Sequence, residues 1–201
     1  MALILTSKVN GSSGILKNMN PVLIIIDMQK DFFKKDELVN QQERLVSSIN
    51  ELIASFRGHD KPIVWIKQTW KADLTNAQLG NKRSGVKIVI EGTEGNELLD
   101  GLDFKETDYL VTKTQYSGFF NINLDELLKK IKADRLVVCG INTHACVRMT
   151  VIDAYQRYYN VIVAKDCVAS YDQAHHEISL KYFSPTIAEV KSSQEIAALL
   201  N

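Results

Sequence analysis

The sequence predicts an α/β fold with three layers, α/β/α, in which helices cover both faces of a six-stranded parallel sheet. Short apolar runs rich in β-branched residues alternate along the chain with segments of helical character. This alternation is typical of parallel sheets covered by helices. Most of the runs also lack an alternation of apolar and polar residues, which indicates strands that are buried on both faces.

The individual elements follow from these patterns in chain order. Six runs are predicted to be strands, at residues 21–27, 61–68, 108–113, 135–141, 161–166 and 186–191. Five helices are predicted between or after them, at residues 39–56, 123–131, 145–158, 174–183 and 193–200. In the first three helices the apolar residues recur every three or four positions. The last helix follows Ser192, which with Glu195 has the spacing of a capping box.

One connection, residues 69–107, departs from this rhythm because it is rich in glycine and has no sustained helical stripe. Long irregular loops in compact domains are often binding loops or lids, and that is the function we predict. The alternative is a surface insertion that the fold merely tolerates.

Composition limits the class of protein. At 201 residues the chain suits one domain, which we place at residues 21–201 after an N-terminal extension, residues 1–20, with a flexible "GSSG" link. The formal net charge is zero, and no basic cluster predicts a nucleic-acid partner. The sequence has neither an apolar run long enough to span a bilayer nor a signal peptide, and its three cysteines suit a reducing compartment. We therefore expect a cytoplasmic protein with a small-molecule substrate and no membrane partner.

Three chemically active side chains follow strands of the predicted sheet. Asp27 ends the first strand, Lys113 ends the third, and Cys146 comes shortly after the fourth. Because the carboxyl ends of parallel strands form one edge of the sheet, where ligands bind in open α/β folds, we expect these side chains to converge.

Each of the three residues also has a simpler interpretation. Cys146 at a helix start would have a lowered pKa and form a thiolate readily, but buried cysteines often only fill space. Asp27 beyond an apolar strand would have a raised pKa and act as a base, or it could cap a helix. Lys113 alone would be a solvated side chain. Together the three residues match the logic of covalent acyl transfer, in which a base activates a nucleophile.

Three segments carry a resemblance to a known family. They are "VLIIIDMQKDFF", "VTKTQYSGFF" and "VVCGINTHACVRMTVIDAYQRYYNVIVAKDCVAS". In order and spacing they resemble the isochorismatase-like cysteine hydrolases, a superfamily of nicotinamidases, N-carbamoylsarcosine amidases and ureidoacrylate-type amidohydrolases. The resemblance covers residues 21 to about 191 and implies a homodimer or homotetramer.

The resemblance also implies a mechanism. Asp27 would take the proton of Cys146, and Lys113 would position the carboxylate. The thiolate would attack an amide, carbamoyl or ureido carbonyl to form a thioester, which water then hydrolyses. A cis peptide at Ile141–Asn142 would turn the backbone amide of Asn142, together with that of Cys146, toward the developing oxyanion.

Departures from the family pattern bear on the substrate. Nicotinamidases follow the second strand with an aspartate and histidines that bind a metal, whereas residues 69–107 contain no histidine. We therefore expect neither a catalytic metal nor another cofactor, and nicotinamide becomes a poor candidate. Isochorismate-cleaving relatives share a histidine at the position of His144 but typically lack the cysteine, so the presence of Cys146 favours amide hydrolysis. An enol-ether hydrolase of the isochorismate type and a non-catalytic binding protein are the alternatives.

Substrate contacts are predicted from residues within or beside the same segments. Aromatic side chains could form an apolar wall, and Gln68 could bind a substrate carbonyl, although aromatic residues in such places often belong to the core. The predicted pocket residues are Phe32, Gln68, Trp70, Tyr116 and Phe119. His144 is predicted to brace the turn before Cys146, and His175 and His176 to be structural.

Overall fold

A computed structural model of the protein describes residues 19–34 and 36–201. The predicted N-terminal extension lies outside the described residues, except for its last two positions. The sheet has six parallel strands: β1 (Pro21–Ile26), β2 (Ile63–Gln68), β3 (Tyr109–Lys113), β4 (Arg135–Ile141), β5 (Asn160–Ala169) and β6 (Glu189–Lys191). Their order in space is β3-β2-β1-β4-β5-β6. The predicted α/β class and six-stranded parallel sheet are confirmed.

In the described part of the chain, seven α-helices accompany the sheet: α1 (Asp36–Val39), α2 (Gln42–Gly58), α3 (Leu79–Ser84), α4 (Leu124–Lys130), α5 (Arg148–Gln156), α6 (Gln173–Phe183) and α7 (Ser193–Leu200). Single turns of 3₁₀ helix occur at Lys30–Lys34 and Glu94–Asn96, and a π-helical turn spans Thr143–Val147. The predicted capping box of Ser192 and Glu195 is present at the start of α7. Among the described residues, no helix is both long enough and apolar enough to cross a membrane.

The sheet divides the apolar core into two clusters because successive side chains of a strand point to opposite faces. Leu23 and Ile25 of β1 belong to the cluster that includes residues of α2 and α7, whereas Val22, Ile24 and Ile26 belong to the cluster with α4, α5 and α6. All of β1 is buried, as its unbroken apolar sequence predicts. The central strands are therefore covered on both faces, which makes the fold a three-layer α/β/α structure.

Two differences from the sequence-based prediction affect the surroundings of Cys146 and the cavity. The long connection between β2 and β3 contains a short helix, α3. None of its residues is buried, so its sequence has no apolar stripe that would predict a helix. The predicted helix at residues 145–158 begins as the π-helical turn Thr143–Val147 and becomes α-helical at Arg148. This difference matters because Cys146 lies in the π-helical turn.

Candidate active site

The carboxyl edge of the sheet places Asp27 immediately after β1. Its backbone has a φ of 54°, in the left-handed region, while its N–H still donates to the carbonyl of Ile66 on β2 at 2.8 Å. The side chain is 1% exposed, and Oδ2 lies 2.8 Å from Nζ of Lys113. Both carboxylate oxygens are buried, and Lys113 is their charged partner among the described residues. Asp27 can therefore accept a proton.

Lys113 ends β3, two strands away from β1, and its long side chain spans that distance beneath the edge of the sheet. The side chain is fully buried. Nζ donates to Oε1 of Gln68 at 2.6 Å and to the carbonyl of Gln115 at 3.1 Å. It also lies 3.4 Å from Sγ of Cys146. The ammonium group therefore contacts both the carboxylate and the thiol.

Cys146 occupies the π-helical turn that follows β4. Its carbonyl accepts a hydrogen bond from Oγ1 of Thr150 at 2.7 Å, which ties the turn to α5. Sγ lies 3.8 Å from Oε1 of Gln68. The structure thus brings together Asp27, Lys113 and Cys146, which are far apart in the sequence, within one buried cluster.

Burial controls the charges of this cluster, because moving an ionisable group out of water disfavours its charged form. Burial raises the pKa of Asp27 despite the opposing charge of Lys113. Burial alone would lower the pKa of Lys113, but the charges of Asp27 and Cys146 raise it overall. The ammonium therefore stays charged, and the carboxylate is a stronger base than a solvated aspartate.

The predicted lowering of the pKa of Cys146 is wrong. Burial and the negative charge of Asp27 raise this pKa well above the ordinary value for a thiol, and the charge of Lys113 only partly offsets them. The expected lowering rested on the position of Cys146 at a helix start. The burial of the thiol, which raises its pKa, follows from distant parts of the chain and is not visible in the local sequence. Cys146 is therefore a neutral thiol near pH 7 that must transfer its proton when it attacks.

A cavity of about 240 Å³ opens above the thiol. Its wall includes four of the five predicted pocket residues, Phe32, Gln68, Trp70 and Tyr116, together with Cys146. The wall also contains residues that the sequence did not single out: Asp31, Gln78, Asn81, Val86, Ile88, Ala145 and Tyr171.

The prediction for Phe119 is wrong. Its side chain is buried in the core cluster beneath α4 and α5, where the ring stacks on Tyr159 and lies under the guanidinium of Arg157. The place of Phe119 in the sequence did not show whether its side chain lines the cavity or packs in the core. That depends on its contacts with α5 and with the turn after α5.

Asp31 holds the long β2–β3 connection against the cavity. Its Oδ2 accepts a hydrogen bond from the backbone N–H of Val89 at 2.6 Å, and Oδ1 lies 2.5 Å from Nζ of Lys34. The contact is close: a Cβ added to Gly95 would lie 2.2 Å from the Asp31 carboxylate. The only sequence signal for Asp31 was its place in "DMQKDFF". The connection therefore lines the cavity, partly as the binding-loop prediction anticipated.

Gln29 is a second residue that the sequence analysis missed. Its Oε1 accepts from the backbone N–H of Gln68 at 2.8 Å, and its Nε2 donates to the carbonyl of Gln68 at 2.9 Å. The same Nε2 lies 2.7 Å from Oδ1 of Asn96, in the long connection. This buried side chain therefore fixes the end of β2, and with it the carboxamide of Gln68 that contacts Lys113.

The peptide bond between Ile141 and Asn142 is cis, as the resemblance implied. Asn142 and Cys146 both line the cavity. Ala145 and Val147 donate backbone hydrogen bonds to the carbonyl of Asn142, which fold the chain tightly around the thiol.

Three of the four histidines, His144, His175 and His176, lie near this turn, and none of them lines the cavity. Nδ1 of His144 is 2.5 Å from Oγ of Ser170, and Nδ1 of His176 is 2.8 Å from Oγ1 of Thr143. His175 pairs with Asp172 at the start of α6. In residues 19–34 and 36–201, no group of three or more His, Cys, Asp or Glu side chains is arranged to hold a metal ion.

The fold and the site together define a class: a parallel α/β/α domain that carries Asp, Lys and Cys at the carboxyl edge of its sheet. Within that class, the chain belongs to the isochorismatase family, because residues 21–195 match the isochorismatase domain. A probable inactive nicotinamidase of Arabidopsis thaliana is 33% identical over 159 residues, which are 75% of this chain and 81% of that relative.

Solved structures show the same fold. The N-carbamoylsarcosine amidase of Thermoplasma acidophilum has a TM-score of 0.74 at 28% identity, over 87% of this chain and 97% of that one. A cysteine hydrolase of Pseudomonas syringae pv. phaseolicola has a TM-score of 0.83 over 90% of this chain and 92% of that one, at 24% identity, which indicates the fold alone. The family and these structural neighbours are hydrolases.

Proposed function

We propose that this protein is a cysteine-dependent hydrolase of a C–N bond in a small amide, carbamoyl or ureido compound. The observation that carries the proposal is the thiol of Cys146 in the cavity wall, with Nζ of Lys113 at 3.4 Å and the Asp27 carboxylate 2.8 Å behind that nitrogen. A nucleophile, a cation and a base in contact can carry out covalent acyl transfer.

The steps follow from the charges of the three groups. Asp27 takes the thiol proton as Sγ of Cys146 attacks the carbonyl, and the C–N bond then breaks as Asp27 returns that proton to the leaving amine. Water attacks the resulting thioester, releasing the acid and restoring the thiol. Lys113 remains an ammonium throughout and offsets the negative charge as it moves between sulfur and carboxylate.

The backbone N–H groups of Asn142 and Cys146 are the proposed donors to the oxyanion. Oxyanion donors act on charge that develops in the transition state, and removing one costs about 2.7–4 kcal/mol in a comparable case. The placement of both residues in the cavity wall supports this assignment. Phe32, Gln68, Trp70 and Tyr116 are the proposed substrate contacts.

Substitution of the nucleophile and of the base tests the mechanism. Cys146→Ser and Asp27→Asn should each reduce ammonia release from a panel of amides and ureides by at least about a thousandfold, since each removes a group that acts on the reacting bonds. Cys167→Ala is the matched control, because it removes another buried thiol outside the site and should retain activity. Normal turnover by either active-site variant would refute the mechanism.

Selective alkylation separates this proposal from the alternatives. Cys146 is 5% exposed and faces the cavity, whereas Cys139 and Cys167 are completely buried, so a haloacetamide should label Cys146 first. An enol-ether hydrolase would keep its activity after Cys146 is alkylated. A non-catalytic member would release no ammonia from any compound of the panel, and earlier labelling of Cys139 or Cys167 would also contradict the proposal.

We also propose that the protein acts in the cytoplasm. All three cysteines are free in the structure, as in a reducing compartment. Fractionation of cells that produce the protein should recover it with cytoplasmic markers, and recovery from the culture medium would contradict this assignment.

A further inference from the structure

The charge of the cavity wall bears on the substrate that the site can accept. Of the described residues that line it, none is a lysine, an arginine or a histidine, and one, Asp31, is an acid. Basic side chains are present nearby, since Lys82, Arg83 and Lys87 flank the wall residues of α3 and the following loop, but they are exposed and do not line the cavity.

The ammonium group of Lys113, which contacts the thiol in the cavity wall, is already engaged. An ammonium group has three N–H donors. Around Nζ of Lys113 lie the Asp27 carboxylate at 2.8 Å, Oε1 of Gln68 at 2.6 Å, the Gln115 carbonyl at 3.1 Å and Sγ of Cys146 at 3.4 Å. Lys113 therefore has no donor left for an anionic group of a substrate, and a carboxylate in the cavity would meet no basic side chain of the described wall.

Neutral hydrogen-bonding groups take the place of a cation. Lys113 requires an acceptor from Gln68, so Oε1 must face the ammonium. Nε2 of Gln68 donates to no described residue. Gln78, at the start of α3, is 7% exposed and lines the cavity with an uncharged side chain.

We infer that the cavity selects an uncharged substrate, and that the neutral carboxamide of Gln78 stands where a site for an anionic acyl group would need a cation. This inference rests on the proposed function, because it concerns the substrate of the same site. Amides that carry a carboxylate on the acyl group are disfavoured by the cost of burying an anion that meets no cation among the described wall residues.

Two alkylating reagents that differ in charge test the selection without a known substrate. Iodoacetamide and iodoacetate transfer groups of similar size to Cys146, and their rates are measured at about pH 8 and divided by their rates with glutathione. We expect the corrected rate for iodoacetamide to exceed that for iodoacetate by at least about tenfold, because only the latter buries an anion. A smaller ratio would overturn the inference.

A matched pair of variants locates the selection in the wall. Gln78→Arg adds a cation inside the cavity and should reduce the ratio by at least about tenfold, since a buried carboxylate would gain a partner. Leu79→Arg adds the same charge at the next residue, which is 60% exposed and outside the cavity, and should leave the ratio within about threefold, because solvent screens exposed charges. Equal effects of the two variants on the ratio would show that the overall charge of the protein, and not the cavity wall, determines the preference between the two reagents. That result would overturn the inference.

The outcomes also distinguish this inference from the proposed function. Rapid labelling of Cys146 by both reagents at similar corrected rates would refute the uncharged-substrate inference alone and leave the nucleophile in place. Full activity of the Cys146→Ser variant would refute the proposed nucleophile and, with it, the inference.

Discussion

At the scale of single residues, the loss of water around Cys146 outweighs its cationic neighbour. Lys113 is 3.4 Å from the sulfur and favours the thiolate, yet burial and the charge of Asp27 raise the pKa of the thiol. The thiol of Cys146 and the carboxylate of Asp27 thus share one proton, which can reside on sulfur or on oxygen. Such a pair suits a nucleophile that is activated only when a substrate arrives.

The rate at which iodoacetamide alkylates Cys146 should therefore increase about tenfold per pH unit from about pH 7 to pH 9. The sign follows from the raised pKa: the thiol is protonated throughout this range, so each pH unit increases the thiolate fraction tenfold. The measurement is mass spectrometry of the labelled peptide over time, with free glutathione as the reference. A plateau that begins below about pH 8 would contradict the raised pKa.

At the scale of secondary-structure elements, the end of β4 depends on Gly140. This residue has a φ of 106°, and a Cβ there would lie 2.1 Å from the carbonyl oxygen of Ile26 on the neighbouring β1. The close approach of the two backbones occurs one residue before Ile141 and the turn that carries Cys146. The position of the turn that carries Cys146 therefore depends on Gly140, where the backbone of β1 leaves no room for a side chain.

Gly140→Ala should lower the free energy of unfolding by roughly 3 kcal/mol or more, because the added methyl group meets backbone atoms that cannot move independently and the φ becomes strained. Urea denaturation followed by circular dichroism measures the change. Gly58→Ala, at the end of α2, is the control: it meets nothing within 4 Å and should be neutral or stabilising by up to about 1 kcal/mol. A Gly140→Ala protein as stable as Gly58→Ala would disprove the argument.

At the scale of the whole molecule, the resemblance implies a homodimer or homotetramer, and we propose that the chain assembles in this way. The turn after α5 presents Tyr158, which is 95% exposed, and a groove lined by Tyr155, Pro185 and Ile187 lies beside it. Tyr159, in contrast, packs on Phe119 and donates to Asp125, so its role is within the fold.

Light scattering coupled to size-exclusion chromatography should give two or four times the mass of one chain at micromolar concentration, where obligate assemblies persist. Tyr158→Lys introduces a charge that would be costly in a dry interface, and it should shift the mass toward one chain if this surface is buried in the assembly. A single-chain mass for the unaltered protein across a broad concentration range would contradict the proposed assembly.

Contiguous segments of the sequence determined the strands, most helices and the three residues at the strand ends. Apolar runs and helical periodicity are properties of neighbouring residues, and the polarity of parallel strands then places Asp27, Lys113 and Cys146 at one edge. Only the tertiary structure decided that Phe119 is core, that Gln29 and Asp31 support the site, and that the pKa of Cys146 is raised rather than lowered. The physical reason is that burial and the charge of a cavity wall are sums over groups that are distant in the chain, so no local pattern of residues contains them.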